Sequence, residues 1–443
     1  MFQSGLFWML LAFSVCVFWS LPKSWRAVFL VFTSIGYVAV QGSWTTQSLR
    51  AAGLMTAGIL AWSLVFYLLS PLALPRRRTS VVPSMPASCI PGLNLAEEGC
   101  TTVLVAAPPS SPRPSQLRGR RWILWTLIGA VLAYLAWFKY VMPWLHPAGE
   151  TDLGQAYLMP LGISYFTFKF IHYAVEVARG NIQDRSIWRY LEYVFLFPTF
   201  TAGPIERFDH FLKHSAEPWS IQLLTDGLNR IAWGIVKKFY FSEILFGEDF
   251  RYAFYGNLVA NINSLSTLHV WRIAIVSYLY LYSEFSGYCD IALGACRLFG
   301  ITIMENFDYP ILANNIAEFW KRWHMTLSGW CQTYVYMPVL GMTRRPLLAT
   351  YATFIAIGLW HGATPKWIAW GAYHASGLVV YQKWLRTWRS RKWAWPLTRA
   401  WQLAGITMTL LFVSAGDLLT FAAANGSHDI VRIMGRLAFL SLR

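Results

Sequence analysis

Two short segments dominate the interpretation of this chain: EFWKRWHMTLSGW at positions 318–330 and GLWHGATPKWIAWG at positions 358–371. Each places one histidine, His324 or His361, beside tryptophans in a sequence made mostly of apolar runs. An ionisable side chain at membrane depth costs about 2.5–3.5 kcal/mol on insertion scales. We therefore expect both histidines to have a function.

The composition predicts a polytopic membrane protein. Hydrophobic residues make up 56% of the chain and charged residues 13%, whereas an ordinary soluble domain is about 25% charged. We expect an all-α membrane domain over residues 1–443, with about eleven transmembrane helices and additional re-entrant segments that form a funnel or tunnel. The predicted spans are 2–19, 26–40, 52–72, 122–142, 156–178, 221–246, 266–285, 288–303, 347–360, 367–381 and 401–421.

The net charge of +16 is distributed as the positive-inside rule requires, so we reject nucleic-acid binding. Basic residues follow the first, third and fifth predicted spans, whereas Glu150 and Asp152 follow the fourth, which predicts an external N-terminus. No basic residue precedes Lys23, so the first span is expected to be retained rather than cleaved as a signal peptide. Residues 75–121, rich in Pro, Ser, Thr and Ala, are predicted to form a flexible cytoplasmic loop.

The six cysteines predict neither a disulfide framework nor a metal site. Cys89 and Cys100 share the predicted cytoplasmic loop, while Cys289, Cys296 and Cys331 fall in apolar segments without metal-ligand spacing. The sequence also lacks an H-E-x-x-H motif, a G-x-S-x-G elbow and a P-loop. We therefore expect no metal and no bound cofactor.

Three segments combine helix breakers with apolar surroundings: 159–162, 197–204 (FPTFTAGP) and 333–341 (TYVYMPVLG). Irregular backbone at membrane depth is tolerated where it is buried in protein or lines a watery cavity. These segments predict re-entrant elements around an internal tunnel, which suits either an enzyme or a transporter.

The pattern at positions 316–329 predicts a helix in which Trp320 and His324 share a face and Glu318 pairs with Arg322. Such a helix either directs His324 into a tunnel or lies at the membrane interface with its tryptophans at headgroup level.

His361 is followed by Gly362, which allows close approach of another group. It is either a proton-transfer residue or a core histidine bonded to a carbonyl. We expect His374 to be a packing residue, and His172 and His269 stay unassigned.

Six motifs occur in order from about Met159 to the end of the segment 358–375, roughly the second half of the chain and part of the first. MPLGISYFTFKFIHYAVEVARG at 159–180, FPTFTAGPIERF at 197–208, FSGYCDIALGACRLFGI at 285–301 and ENFDYP at 305–310 precede the two histidine segments. This ordered set resembles the membrane-bound O-acyltransferase (MBOAT) family. The residues of these motifs are similar to those of the bacterial branch of the family, which includes alginate O-acetyltransferase and the D-alanyl transfer protein of teichoic acid synthesis.

The resemblance implies a role for particular residues. His361 matches the catalytic histidine of the family, and His324 matches its second, more variable functional histidine. Asp290, Asn306, Trp320 and Trp360 match positions that resemble tunnel-lining or supporting residues, although Asp290 equally fits a paired structural carboxylate. One departure is the replacement of the usual Trp-x-Arg-Asp-Tyr by Trp-Cys-Gln-Thr-Tyr, which puts neutral Gln332 and Thr333 where the family has an Arg-Asp pair.

The resemblance also implies an activity: transfer of an acyl group, with acetyl favoured over D-alanyl, from a cytoplasmic thioester to a hydroxyl. The expected donor is acetyl-CoA or an acyl carrier protein. The expected acceptor is an exported or cell-surface polysaccharide, or a relay group on a partner acyltransferase outside the cytoplasm. The expected location is the inner membrane of a bacterium, with membrane lipids and polysaccharide-synthesis proteins as partners. A transporter or flippase for a lipid-linked sugar or acyl group is the alternative.

Overall fold

The computed structural model describes residues 2, 4–46, 48–74, 121–145, 160–362, 364–392, 398–421 and 427–438. All regular structure in these ranges is helical, which confirms the all-α prediction. Most of the predicted loop 75–121, with Cys89 and Cys100, lies outside the described residues.

The α-helices of the first half are α1 Gly5–Ser20, α2 Lys23–Thr46, α3 Leu49–Leu69, α4 Arg121–Ala136, α5 Met142–Leu145, α6 Ile163–Arg179, α7 Ile187–Phe195, α8 Phe208–Lys213, α9 Ile221–Ile235, α10 Gly247–Phe254 and α11 Asn257–Asn261. Those of the second half are α12 Thr267–Arg297, α13 Ile316–Arg322, α14 Met325–Cys331, α15 Met337–Thr343, α16 Pro346–His361, α17 Pro365–Ser390, α18 Arg399–Phe421 and α19 Ser427–Leu437. Short 3₁₀ turns occupy Ser70–Ala73, Phe197–Thr199 and Pro310–Leu312, and π-helical turns occupy Trp137–Val141, Val236–Phe246 and Gln332–Tyr336.

Four helical stretches of the described chain are long and apolar enough to cross a bilayer by themselves. They are Lys23–Trp44, Leu49–Ala73, Arg121–Leu145 and Arg399–Thr420. The helices Gly5–Ser20 and Pro346–His361 are apolar but shorter. The number of eleven membrane segments stays a prediction, because the other predicted spans fall short by length or polarity.

The two spans predicted at 266–285 and 288–303 are one helix, so this prediction was wrong. The helix α12 runs without interruption for 31 residues, about 46 Å at 1.5 Å per residue. Gly287, between the two predicted spans, lies inside this helix and lets two backbones touch. A Cβ at Gly287 would lie 2.8 Å from the carbonyl oxygen of Gly234, and a Cβ at Gly234 would lie 2.7 Å from that of Gly287.

Two of the three predicted irregular segments are irregular. Gly162 has a φ of +74°, and a Cβ there would lie 2.6 Å from the carbonyl oxygen of Phe200, so this turn packs onto the buried 197–204 segment. The third prediction was wrong, because 333–341 is helical throughout. Pro338 lies in the first turn of α15, directly after the π-helical turn, where its missing N–H does not end the helix.

Candidate functional site

His324 lies at a break between two helices rather than inside one. The helix α13 ends at Arg322, His324 has a φ of +43°, and α14 begins at Met325. The predicted continuous helix over 316–329, with Trp320 and His324 on one face, was therefore wrong. Backbone bonds cause the break: the Met325 N–H donates to the Asn306 carbonyl at 2.9 Å, and the Asp308 N–H donates to the Arg322 carbonyl at 3.0 Å. These bonds hold a left-handed residue that costs about 1–3 kcal/mol.

The protonation pattern of His324 follows from its neighbour Asn306. The amide oxygen of Asn306 accepts from the N–H of Thr326 at 3.3 Å and from its hydroxyl at 2.8 Å. Since a backbone N–H can only donate, this atom is the oxygen, and Nδ1 of His324, 2.9 Å away, must donate to it. Nε2 of neutral His324 therefore carries the lone pair. Nε2 is enclosed and has no hydrogen-bond partner in the described part of the chain.

His361, in contrast, is exposed and held by aromatic packing at the C-terminal end of α16. Its ring stacks on Trp367 with centroids 4.6 Å apart and planes inclined by 13°. The rings of Trp360 and Trp370 lie steeply inclined to the His361 ring, with centroids 4.7 and 5.7 Å from its centroid. Within the described ranges neither ring nitrogen has a hydrogen-bond partner, so both stay available to a substrate.

Gly362 makes this packing possible. A Cβ at Gly362 would lie 2.6 Å from Cδ1 of Trp367, so a larger residue would push the indole off the His361 ring. The close approach expected from the sequence is thus an approach by Trp367 of the next helix, α17.

A cavity of about 290 Å³ opens beside His361. Its described lining comes from the π-helical turn after α4, the start of α6 with the turn before it, the irregular segment 197–204 and the end of α16. The lining residues are Lys139, Gly162, Ile163, Ser164, Tyr165, Thr201, Trp360 and His361. A lining of hydroxyl groups, an ammonium and an indole face suits a hydroxyl-bearing acceptor. The charge distribution predicts that this end of α4 is external.

A second, larger cavity of about 1340 Å³ lies on another side of Trp360. It runs between α4, α6, α14 and α16 and has mostly aliphatic and aromatic walls, with Arg121 and Arg179 among its lining residues. Because Arg121 begins α4 and Arg179 ends α6, both arginines lie at the helix ends remote from His361. The charge distribution predicts that this side is cytoplasmic. Trp360 borders both cavities.

Trp360 also lies between the two histidines. Its ring centroid is 6.4 Å from that of His324 and 4.7 Å from that of His361. The structure therefore brings together four of the residues selected from sequence: His324, Asn306, Trp360 and His361.

Trp320 and Asp290 lie elsewhere. Trp320 packs against Phe354 and His374, with ring centroids 4.9 and 5.2 Å away, and also contacts Trp370, which in turn contacts His361. Asp290 is held by Arg230 at 2.7 Å and Lys237 at 2.6 Å. Neither lines either cavity, so the geometry favours the reading of Asp290 as a paired structural carboxylate. The expected pair of Glu318 and Arg322 is formed, at 2.6 Å.

Sequence reasoning missed Lys139 and Tyr140. The Lys139 ammonium donates to the Trp360 carbonyl and lies 3.5 Å from the Ser164 hydroxyl, while the Tyr140 hydroxyl donates to the Leu359 carbonyl. The available signal was that Lys139 is the one charged residue in the predicted span 122–142. An intramembrane charge is a functional-site hypothesis by default.

A buried carboxylate, that of Asp417, positions Trp370, one of the aromatic rings around His361. Trp370 on α17 donates its indole N–H to Asp417 of α18 at 3.0 Å, and both side chains are buried. Trp370 touches the ring of His361 as well as that of His374, whose centroid is 4.6 Å away. His374 is buried among aromatic rings, which agrees with a packing role.

The family model for MBOAT, the membrane-bound O-acyltransferase family, matches residues 115–420. This range contains both histidines, Lys139 and Asp417. The chain belongs to the membrane-bound O-acyltransferase family.

The relatives that this chain resembles are named for different polymers. The chain is 32% identical over 272 residues to a probable alginate O-acetylase of Pseudomonas syringae pv. tomato, covering 58% of this chain and 51% of the relative. It is 31% identical over 278 residues to a teichoic acid D-alanyltransferase of Bacillus subtilis, covering 58% and 67%. It is 29% identical over 329 residues to a peptidoglycan O-acetyltransferase of Helicobacter pylori, covering 66% and 61%. The chain thus spans about half the length of the alginate relatives that it matches.

The replacement of the expected Arg-Asp pair by Gln332 and Thr333 has a local structural consequence. Thr333 lies against Arg207, whose guanidinium donates to the threonine hydroxyl at 3.5 Å. With threonine at position 333, where the resemblance implies an aspartate, that long hydrogen bond is the one the guanidinium makes in the described part of the chain. The neighbouring Tyr334 keeps a buried network: Nδ1 of His172 donates to its hydroxyl at 2.8 Å, and the hydroxyl donates to Glu176 at 2.9 Å.

Proposed function

We propose that this MBOAT protein is a membrane O-acyltransferase of the bacterial inner membrane. It takes an acyl group, acetyl in the first instance, from a cytoplasmic thioester, either acetyl-CoA or an acyl carrier protein. It delivers the group to a hydroxyl of an exported or cell-surface polysaccharide, or of a partner acyltransferase that relays it. The relatives named for alginate, teichoic acid and peptidoglycan support an acceptor outside the cytoplasm.

The observation that carries the proposal is the position of His361. Its ring lines a cavity that also contains hydroxyl groups and the Lys139 ammonium, lacks a protein hydrogen-bond partner among the described residues and is fixed in orientation by Trp367. A neutral imidazole so placed can take a proton from a bound hydroxyl, a contribution worth about 10²–10⁴ in rate. A transporter of lipid-linked sugars, the alternative from sequence, has no comparable observation in its favour.

The reaction needs one base and one electrophile. An imidazole nitrogen of His361 accepts the hydroxyl proton as the acceptor oxygen bonds to the thioester carbonyl carbon, and the carbonyl oxygen takes the electron pair. The carbon–sulfur bond of this tetrahedral intermediate then breaks. The thiolate leaves with the electron pair and receives the proton from the His361 imidazolium.

His324 has a supporting part in this proposal. Its Nδ1–H is engaged by Asn306 and its Nε2 is enclosed behind Trp360. Its ring packs near the Trp360 ring, which in turn contacts His361, and so helps to position both side chains. We therefore expect a His324 variant to retain more activity than a His361 variant.

The test uses the full chain in nanodiscs with radiolabelled acetyl-CoA or a D-alanyl carrier protein as donor. Both donors are needed because the acetyl- and D-alanyl-transferring relatives are equally similar, at 32% and 31% identity. Thioester hydrolysis and labelled polysaccharide are measured for wild type, His361→Ala, His324→Ala and the exposed control His269→Ala. We expect His361→Ala to lose about 10²–10⁴ in rate at an unchanged melting temperature. Equal rates in the wild type and His361→Ala would contradict the proposal.

A further inference from the structure

Lys139 brings a positive charge into the cavity of His361 from a distant part of the chain. Its ammonium lies 5.3 Å from the centroid of the Trp360 ring, which itself touches the His361 ring. Of its three N–H donors, one serves the Trp360 carbonyl and one is directed to Ser164 at 3.5 Å, the limit for a hydrogen bond. In the part of the chain that the structure describes, at least one donor has no partner and is available to a ligand in the cavity.

Acyl transfer creates a need for such a donor. As the acceptor oxygen attacks the thioester, negative charge develops on the carbonyl oxygen, and preorganised donors at that point lower the barrier. His361 acts as the base and cannot hold the oxyanion at the same moment. His324 presents a lone pair at Nε2, not a hydrogen, because Asn306 fixes its Nδ1–H.

The remaining lining groups are weaker candidates. The indole N–H of Trp360 is enclosed and does not reach the cavity. Ser164, Tyr165 and Thr201 are neutral hydroxyls, and Thr201 is already bonded to Tyr288 at 2.8 Å. Among the lining residues that the structure describes, Lys139 is the one cation. A charged donor in a partly desolvated site is stronger than a neutral one.

We propose that Lys139 is a catalytic residue of this site, whose ammonium donates a hydrogen bond to the thioester carbonyl oxygen as that oxygen becomes an oxyanion. The inference rests on the proposed acyl transfer. Lys139 keeps its proton throughout: the acceptor proton moves to His361 and then to the departing sulfur, while the electron pair on the oxygen returns to rebuild the carbonyl as the carbon–sulfur bond breaks.

A purely structural role for Lys139 makes a different prediction. Lys139 and Tyr140 satisfy the carbonyls of Trp360 and Leu359, which lie in the last turn of α16 and have no partner within the helix. If capping were the whole function of Lys139, loss of either cap would disturb His361 to a similar degree. Tyr140→Phe is therefore a matched control, because it removes one cap without changing the charge of the cavity.

The experiment compares Lys139→Met, Lys139→Gln, Lys139→Arg and Tyr140→Phe with the wild type in nanodiscs. The readouts are kcat, KM for the thioester and melting temperature. We expect Lys139→Met and Lys139→Gln to lower kcat by about 10²–10³, with KM changed less than about threefold. Lys139→Arg should recover part of kcat, and Tyr140→Phe should stay within a few-fold of the wild type. Lys139→Gln keeps a donor for the Trp360 carbonyl and covers the case in which Lys139→Met does not fold.

The outcomes separate this inference from the proposed function. Transfer that depends on His361 but is unchanged in folded Lys139→Gln would overturn the role of Lys139 and leave the acyltransferase standing. Equal losses in Lys139→Gln and Tyr140→Phe would reduce Lys139 to a helix cap. A wild type that transfers no acyl group from either donor would remove both proposals.

Discussion

The two histidines of the site are held by opposite means. His324 is enclosed, 3% exposed, and fixed by a hydrogen bond to Asn306, whereas His361 is exposed and fixed by stacking on Trp367. A hydrogen bond orients a ring but uses one of its nitrogens and selects its tautomer. Stacking orients a ring and leaves both nitrogens free. The difference assigns proton transfer to His361 and structural support to His324.

Replacement of Asn306 tests the hydrogen-bonded half of this comparison and should have the largest effect. In Asn306→Leu the Nδ1–H of His324 and the N–H and hydroxyl of Thr326 lose their buried acceptor. Each buried unpaired donor costs about 1–3 kcal/mol, so we expect the free energy of unfolding to fall by about 3 kcal/mol or more. Thermal unfolding in detergent, followed by size-exclusion chromatography, measures this loss. The control Asn306→Asp keeps the acceptor, and equal stability of the two variants would contradict the assigned tautomer.

Replacement of Asp417 tests the other side of the comparison, the positioning of His361 by aromatic packing, and should have a smaller effect. Asp417→Leu leaves the indole N–H of Trp370 without its acceptor, at a cost of about 1–3 kcal/mol. It also loosens Trp370, whose ring centroid lies 5.7 Å from that of His361. We expect a lower melting temperature and a lower transfer rate, whereas Asp417→Asn, which retains an amide oxygen, should recover both. A rate in Asp417→Leu equal to that of the wild type would show that His361 does not depend on Trp370.

A third histidine, outside the spans, adds a pH-dependent case and the smallest effect. Nδ1 of His210 lies 2.8 Å from Glu206, and this hydrogen bond raises the pKa of His210 above its ordinary value of 6.5, against the effect of burial. Because the folded-state pKa is the higher one, the pair stabilises the protein fully below about pH 6.5, and the stabilisation is lost as the pH rises through the raised pKa.

The melting temperatures of the wild type and His210→Gln, recorded from about pH 5.5 to about pH 8.5, measure this contribution. We expect a gap of about 1–2 °C at the acid end that closes toward the alkaline end. His214→Gln is the control, since the ring of His214 stacks on His210 but is bonded to a backbone carbonyl. A gap that widens with rising pH would mean that His210 gains no proton from its contact with Glu206.

The sequence by itself determined the membrane class, the helical fold, the family and the two histidine motifs. These follow from composition, from the length of apolar runs and from short motifs in a fixed order, all of which can be read from the chain without its tertiary structure. Local pattern failed where backbone contacts between distant segments intervene. It predicted a continuous helix through His324, which the backbone bonds of Asn306 and Asp308 interrupt. It also separated two spans at 286–287, where one helix continues and Gly287 packs against Gly234 of another helix.

Only the tertiary structure decided the chemistry of the site. Asn306 selects the tautomer of His324 from 18 residues away, and Lys139 reaches the Trp360 carbonyl across 221 residues. Neither partner can be inferred from spacing, because hydrogen bonds and charge act over a few ångströms in space and are indifferent to separation along the chain. The sequence shows that Lys139 is an isolated charge in an apolar run. The contact of the π-helical turn after α4 with the end of α16 gives that charge a partner and a place beside His361.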